Sequence, residues 1–173
     1  MNYLKITPVD TANGPGCRVT LWVSGCLHHC EGCHNPETWW PGAGQLYTEE
    51  TEKELMRLLE PKYIRGLTIS GGDPLYPENR VIVERLVRRV REVYPEKDIW
   101  LYTGYTAEQV MDWVDGDRVD VLVDGQFVKS QKDISLRFRG SRNQRLIDAR
   151  KSREYGCIVL WKDDPQFDTH EMV

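Results

Sequence analysis

Four short apolar runs in this chain each finish beside a glycine-containing turn, and segments with helical periodicity lie between them. That alternation is the pattern of an α/β fold with a parallel sheet, because parallel neighbours need a crossover long enough to hold a helix. The runs are Arg18–Ser24, Gly66–Ser70, Ile99–Thr103 and Val119–Val123, and the turns hold Gly25, Gly71, Gly104 and Gly125. Thr48 is placed to cap a first helix, with Glu49, Glu50 and Glu52 in its first turn, Leu55, Met56, Leu58 and Leu59 on its apolar face and Pro61 as its stop. A second helix is expected from Asn79 to Tyr94, with Ile82, Leu86, Val90 and Val93 on one face. A third opens with the capping-box pattern Thr106–Gln109. Phe127 to Ala149 reads as mostly irregular, and Cys157–Trp161 as a last strand. Ligands of parallel α/β folds sit at the carboxyl ends of the strands, so the four glycine turns should converge on one crevice.

One of those turns carries Cys26-Leu27-His28-His29-Cys30-Glu31-Gly32-Cys33, three thiols in eight residues. Met1–Asp10 holds no apolar export segment, and no apolar run approaches the roughly 20 residues of a membrane helix, so a soluble, cytoplasmic, reducing setting is expected. In that setting clustered cysteines read as metal ligands rather than as a disulfide framework. Cys17 and Cys157 stand alone and are expected to be small buried hydrophobes. The net charge of −4 argues against a nucleic-acid partner. The stretch Arg137–Arg153, with only Asp148 opposing it, is either a solvated face or a contact for an anion or a partner.

Three cysteines supply one ligand too few for a closed four-thiolate site, and three fillers compete. A four-iron cluster would hold three irons on thiolates and leave one open. Structural zinc would recruit His28, His29 or His34. Haem would use Cys30-Glu31-Gly32-Cys33-His34, which spells C-x-x-C-H. Haem leaves Cys26 without a role and is normally an exported chemistry. Zinc does not explain why the next strand ends in Gly71-Gly72 beside Asp73, whereas an open cluster explains both features.

The cysteine loop after the first strand, followed by Ser70-Gly71-Gly72-Asp73-Pro74 after the second, resembles the radical S-adenosylmethionine superfamily. Asn13-Gly14-Pro15-Gly16, Lys97-Asp98-Ile99-Trp100, Thr103-Gly104-Tyr105, Val123-Asp124-Gly125 and Arg139-Gly140-Ser141 with Asn143-Gln144 are similar to one subfamily, the activators of anaerobic ribonucleoside-triphosphate reductase. The resemblance runs from Met1 to about Arg145. It implies a partial, shortened (β/α) barrel with a mostly parallel sheet. The radical S-adenosylmethionine domain would occupy residues 1–150, and residues 151–173 would form an extension of unknown role.

The resemblance also implies a [4Fe-4S] cluster on Cys26, Cys30 and Cys33, with S-adenosylmethionine chelating the open iron. Gly71 and Gly72 would let main chain approach the methionine ammonium, with Asp73 adding charge or orienting the turn, although aspartate also starts helices. Thr103 and Gly104 would meet the ribose, and Gly32, Cys33 and His34 the adenine. His34 stands where a tyrosine is common, which leaves its main-chain contact as the part that transfers. His28 and His29 read as loop histidines without a catalytic role, and Trp39 and Trp40 as shields for the loop. The implied partners are the large subunit of the reductase, which would lose a hydrogen from one glycine, and a low-potential donor such as flavodoxin or ferredoxin. A pyruvate formate-lyase activase, a deazapurine synthase or a non-catalytic zinc module are the other readings.

Overall fold

The computed structural model describes residues 1–110 and 119–162. Strands β2 (Cys17–Val23), β4 (Ile64–Gly71), β5 (Asp98–Tyr102) and β6 (Val121–Asp124) are the four expected ones, and they pair in parallel in that order. Three more strands flank them antiparallel. These are β1 (Asn2–Asp10) and β3 (Gln45–Leu46) beyond β2, and β7 (Arg145–Asp148) beyond β6. The seven-stranded sheet is therefore mixed, parallel only in its centre.

Residues 127–149 are more ordered than expected. They hold a 3-10 turn at Lys129–Gln131, the whole of β7 and the first residue of a helix, Ala149–Tyr155. Asp148 caps that helix by accepting from Lys151 N at 2.9 Å, and Gly156 ends it with φ 65°. The expected last strand is reduced to a single bridge between Leu160 and Ile147. Cys157, expected in the core, follows Gly156 at the exposed end of this helix, while Cys17 is half-buried against the core.

The other helices are α1 (Glu49–Leu59), α2 (Arg80–Val93) and α3 (Ala107–Val110), which makes the C-terminal one α4. In α1, Thr48 and Thr51 cap each other reciprocally at 3.3 Å. The face that α2 buries is the expected one in part, with Leu86 and Val90 in the core and Ile82 half-buried against it. Val83, Leu86, Val87 and Val90 are buried, whereas Val93 is 44% exposed. Its valine-rich sequence allows two i, i+3, i+4 rows, and the sheet selects the row through Val83. The start of α3 has half of the expected capping box, Thr106 N donating to Gln109 Oε1 at 2.9 Å.

The two faces of the sheet differ because side chains alternate along each strand. Val19, Leu21, Val23, Leu67, Ile69, Ile99 and Leu101 face the buried side chains of α1 and α2 in one core. Each fully buried aliphatic side chain there contributes about 1.5–3 kcal/mol. The residues between them, Arg18, Thr20, Trp22, Thr68, Ser70, Trp100 and Tyr102, present a polar and aromatic inner face. Arg18 is buried on it. Its guanidinium pairs with Asp98 Oδ1 at 2.5 Å and donates to Thr68 Oγ1 at 2.8 Å and Leu67 O at 2.9 Å. Burial lowers its pKa, against the opposing pull of Asp98. Thr68 Oγ1 in turn donates to Asn13 O at 2.8 Å, which ties the Asn13–Gly16 turn to the inner face.

Candidate iron-sulfur centre

The cysteine loop leaves β2 and folds back on its own base. Gly25 N donates to Thr38 O at 2.7 Å, Cys26 N to Trp39 O at 3.1 Å and Cys33 N to Cys30 O at 3.0 Å. Gly32 turns with φ 73°, and His29 adopts the left-handed region at φ 45°. All three thiols are free and half-buried. Burial pushes the Cys26 and Cys30 thiols up, while backbone N–H groups of His28 and His29 at Cys26, and of Phe127 at Cys30, pull the other way. Asn35 N donates to Cys33 Sγ at 3.4 Å.

The turn after β4 is built against this base. Gly72 N donates to Val23 O and Asp73 N to Gly25 O, both at 2.7 Å. Gly71 takes φ 110°, and a Cβ there would lie 2.5 Å from Val23 O; one on Gly72 would lie 2.5 Å from Gly25 O. The glycine pair is thus required by the close approach of two chain segments, before any ligand is considered.

Asp73 is 1% exposed and joins three loops. Its Oδ1 accepts from Leu75 N at 2.8 Å and Thr103 Oγ1 at 2.9 Å. Its Oδ2 accepts from Gly104 N at 3.0 Å and lies 2.9 Å from His28 Nε2. Asp73 therefore organises the turn rather than starting the helix, since α2 begins seven residues later, at Arg80. Asn79, just before α2, spends its side chain on Ser24 O at 2.9 Å and Asp73 O at 3.0 Å, bracing the cysteine loop from behind.

The cysteine loop and the end of β4 border a cavity of about 500 Å³ over the inner face of the sheet. Trp22, Ser70 and Tyr102 form its floor, Gly32, Cys33 and His34 one wall, and residues 132–140 another. Phe127 lies between the loop and that second wall, within 3.6 Å of a Cβ position on Gly32 and 3.1 Å of one on Gly140. Tyr102 Oη donates to Phe138 O at 2.8 Å. Gly104 lies on a separate crevice of about 630 Å³ with Gly125 and Arg145.

A family model described as a 4Fe-4S single cluster domain matches residues 12–147. The anaerobic ribonucleoside-triphosphate reductase-activating protein of Enterobacteria phage T4 is 53% identical over 146 residues, 84% of this chain and 93% of that protein. Its counterparts in Vibrio cholerae serotype O1 and Escherichia coli K12 are 48% and 47% identical, each over 83% of this chain and 96% of their own length. The chain belongs to the anaerobic ribonucleoside-triphosphate reductase-activating protein family.

The donor set fits the single cluster of this family. Three free thiols lie on one loop with backbone N–H groups aimed at their sulfurs, an arrangement that stabilises bound thiolate and tunes a cluster. Among the described residues no three His, Cys, Asp or Glu side chains gather around one point as ligands of a single metal ion do. Nor do the histidines turn to such a task. His28 is held at Asp73, His29 stacks on Trp39 with ring centroids 4.8 Å apart, and His34 is exposed. Trp39 meets the loop through that stacking on His29, whereas Trp40 is 69% exposed and packs over Gly42 instead.

Of the residues singled out from the sequence, Gly71, Gly72, Asp73, Thr103 and Gly104 come together at one junction with the base of the cysteine loop, and Gly32, Cys33 and His34 line the cavity. The basic stretch is largely neutralised from elsewhere in the fold. Arg145 pairs with Asp124 and Glu108, Arg142 with Asp133, and Arg150 lies 3.7 Å from Asp120. This pairing favours a self-satisfied surface over the partner contact. Among the described residues no helix is long and apolar enough to cross a membrane.

Proposed function

We propose that this protein activates an anaerobic ribonucleoside-triphosphate reductase by generating a glycyl radical on it. The observation that carries the reading is the junction of the cysteine loop with Gly71-Gly72-Asp73 at the ends of adjacent parallel strands, where Gly32, Cys33 and His34 of the same loop and Ser70 of the same strand border a 500 Å³ cavity. Cys26, Cys30 and Cys33 would hold the [4Fe-4S] cluster, leaving one iron open to the amino and carboxylate groups of S-adenosylmethionine. A cluster held there would supply the one-electron reduction, fed by a donor such as flavodoxin or ferredoxin, that cleaves S-adenosylmethionine to methionine and a 5′-deoxyadenosyl radical able to take a glycine hydrogen from the reductase.

The chain's own residues bind and orient. The Gly71–Asp73 turn offers main chain to the methionine end, Thr103 and Gly104 border the ribose, and Gly32 to His34 border the adenine. Trp22, Tyr102 and Phe138 give the cavity aromatic surface beside the polar side chains of Lys132, Asp133 and Arg139. The cavity volume falls within the ~300–1,000 Å³ usual for small-molecule sites.

Anaerobic reconstitution with iron and sulfide, reduction, and addition of S-adenosylmethionine should yield 5′-deoxyadenosine. With an anaerobic reductase present, electron paramagnetic resonance should show a glycyl radical. An intact reduced cluster that cleaves nothing refutes the S-adenosylmethionine reading. Cleavage that leaves the reductase diamagnetic but activates a pyruvate formate-lyase reassigns the partner.

A further inference from the structure

We propose that His28 is a positioning residue for the methionine end of S-adenosylmethionine, an inference that rests on the function proposed above. The loop beyond Cys26 carries the thiols, while the turn at Gly71–Asp73 and the Thr103–Gly104 turn carry the groups assigned to the ligand. His28 bridges them. Its Nε2 lies 2.9 Å from Asp73 Oδ2, and because a carboxylate oxygen accepts, Nε2 carries the hydrogen.

The fold builds a seat for this ring. Its side chain is 11% exposed, unlike the exposed His29 and His34 of the same loop. Tyr105 meets it edge-on, centroids 4.7 Å apart at 77°, and the Arg80 guanidinium lies over the Tyr105 ring at 5.5 Å. Gly104 leaves the remaining space, since a Cβ there would come within 2.3 Å of His28 Cδ2. Gly104 thus serves His28 with its missing side chain and Asp73 with its N–H.

The other links from this loop to the Gly71–Asp73 turn described above are made at its base, directly by Val23 O and Gly25 O and, through the Asn79 side chain, by Ser24 O. Beyond Cys26, His28 is the side chain that connects the thiol-bearing arc to Asp73. Without it the base stays pinned, but the arc can swing relative to the turn that receives the ammonium. The open iron and the amino-acid end would then meet at a variable separation.

His28→Ala and His28→Gln test this in the anaerobically reconstituted protein, the glutamine amide reaching about as far as Nε2. The expected result for His28→Ala is parental iron and sulfide content, S-adenosylmethionine binding weakened about tenfold or more, and loss of the change that S-adenosylmethionine induces in the reduced-cluster resonance. His28→Gln should restore binding and that change. In the metal-free protein, hydrogen exchange at Gly104 N should accelerate in His28→Ala and not in His28→Gln.

Parental binding and spectrum in His28→Ala overturn the inference while leaving the function reading intact. Equal failure of both variants with full iron content also overturns it, because the ring rather than its hydrogen bond would then matter. If His28→Ala fails to load iron, the exchange measurement decides, and an unchanged Gly104 rate overturns the inference. A parent protein that binds no S-adenosylmethionine overturns both readings together.

Discussion

Two buried aspartates, each beside the carboxyl end of a parallel strand, tie loops together by opposite means. Asp73 and Asp124 are both 1% exposed. Asp73 is held by a hydroxyl, two backbone N–H groups and a histidine. Asp124 is held by an arginine, with Arg145 Nη2 at 2.5 Å from Oδ2, and by Ala107 N at 2.7 Å. Arg145 then reaches on to Glu108 through two contacts at 2.8 and 3.0 Å. A guanidinium keeps its charge and its fork geometry under all ordinary conditions, so the Asp124 junction is a clamp. The Asp73 junction, made mostly of neutral donors, can exchange a partner for a ligand at modest cost. It is also the one beside the thiols.

The comparison can be broken most easily at Asp124. Asp124→Ala removes an acceptor from the start of α3 and from Arg145, and should cost about 3 kcal/mol, near the low end for breaking a buried pair because Glu108 still holds the guanidinium. The urea midpoint of the metal-free protein reads this, and a shift too small to measure would remove the distinction between clamp and junction.

Asp73→Asn keeps the shape and some of the accepting capacity, so its fold should lose only about 1–2 kcal/mol. Cleavage of S-adenosylmethionine by the loaded protein should nevertheless fall about ten- to hundredfold, the value of one or two charge-assisted contacts. Unchanged 5′-deoxyadenosine formation would make Asp73 merely architectural.

Thr103→Val takes the shared hydroxyl from both Asp73 oxygens and should cost about 1–1.5 kcal/mol in the same urea titration. A neutral result would mean that the carboxylate is satisfied without it.

The smallest effect is the most specific to the clamp. Arg145 holds the Glu108 carboxyl down at about 2, below its ordinary 4.5. A depressed carboxylate stabilises the fold above its unfolded value, so this contribution is complete above about pH 4.5 and is lost as pH falls toward 2. Glu108 is more than half exposed, and screening limits the gain to about 0.3–1 kcal/mol. Urea midpoints of the parent and Glu108→Gln should therefore converge on acidification, and parallel curves would count against the pair.

Much of the crevice was legible because its parts are local. A strand that runs into Gly71-Gly72-Asp73, or a cysteine triplet, announces itself within eight residues. The flanking strands were not legible for physical reasons. β1 carries Pro8, is flanked on its outer side only by the two residues of β3 and is largely half-exposed, which blurs its alternation, and β7 is four residues long inside an arginine-rich stretch. In α2 the expected Leu86 and Val90 are in the core, but Val83 and Val87 rather than Ile82 and Val93 complete the buried row, because a periodicity fixes spacing and not which of two neighbouring rows meets the sheet. The roles of His28, Asn79 and Phe127 were illegible in another way. Their partners Asp73, Ser24 and the Gly32 turn lie 45, 55 and about 95 residues away in the chain, so no window of sequence holds both ends. The capping-type asparagine before α2 was the one available signal, and the structure uses it as a brace.

The buried Arg18 carries an implication for the order in which the chain acquires its shape. Its hydrogen bond to Asp98 O spans 80 residues, and its counter-charge sits on the same distant residue. The first β-hairpin therefore cannot bury that cation until β5 has been delivered, since an unpaired guanidinium held away from water is too costly. On a ribosome the hairpin must wait with its inner face wet until more than half of the chain has emerged. The polar floor of the cavity accordingly cannot close before β5 is in place.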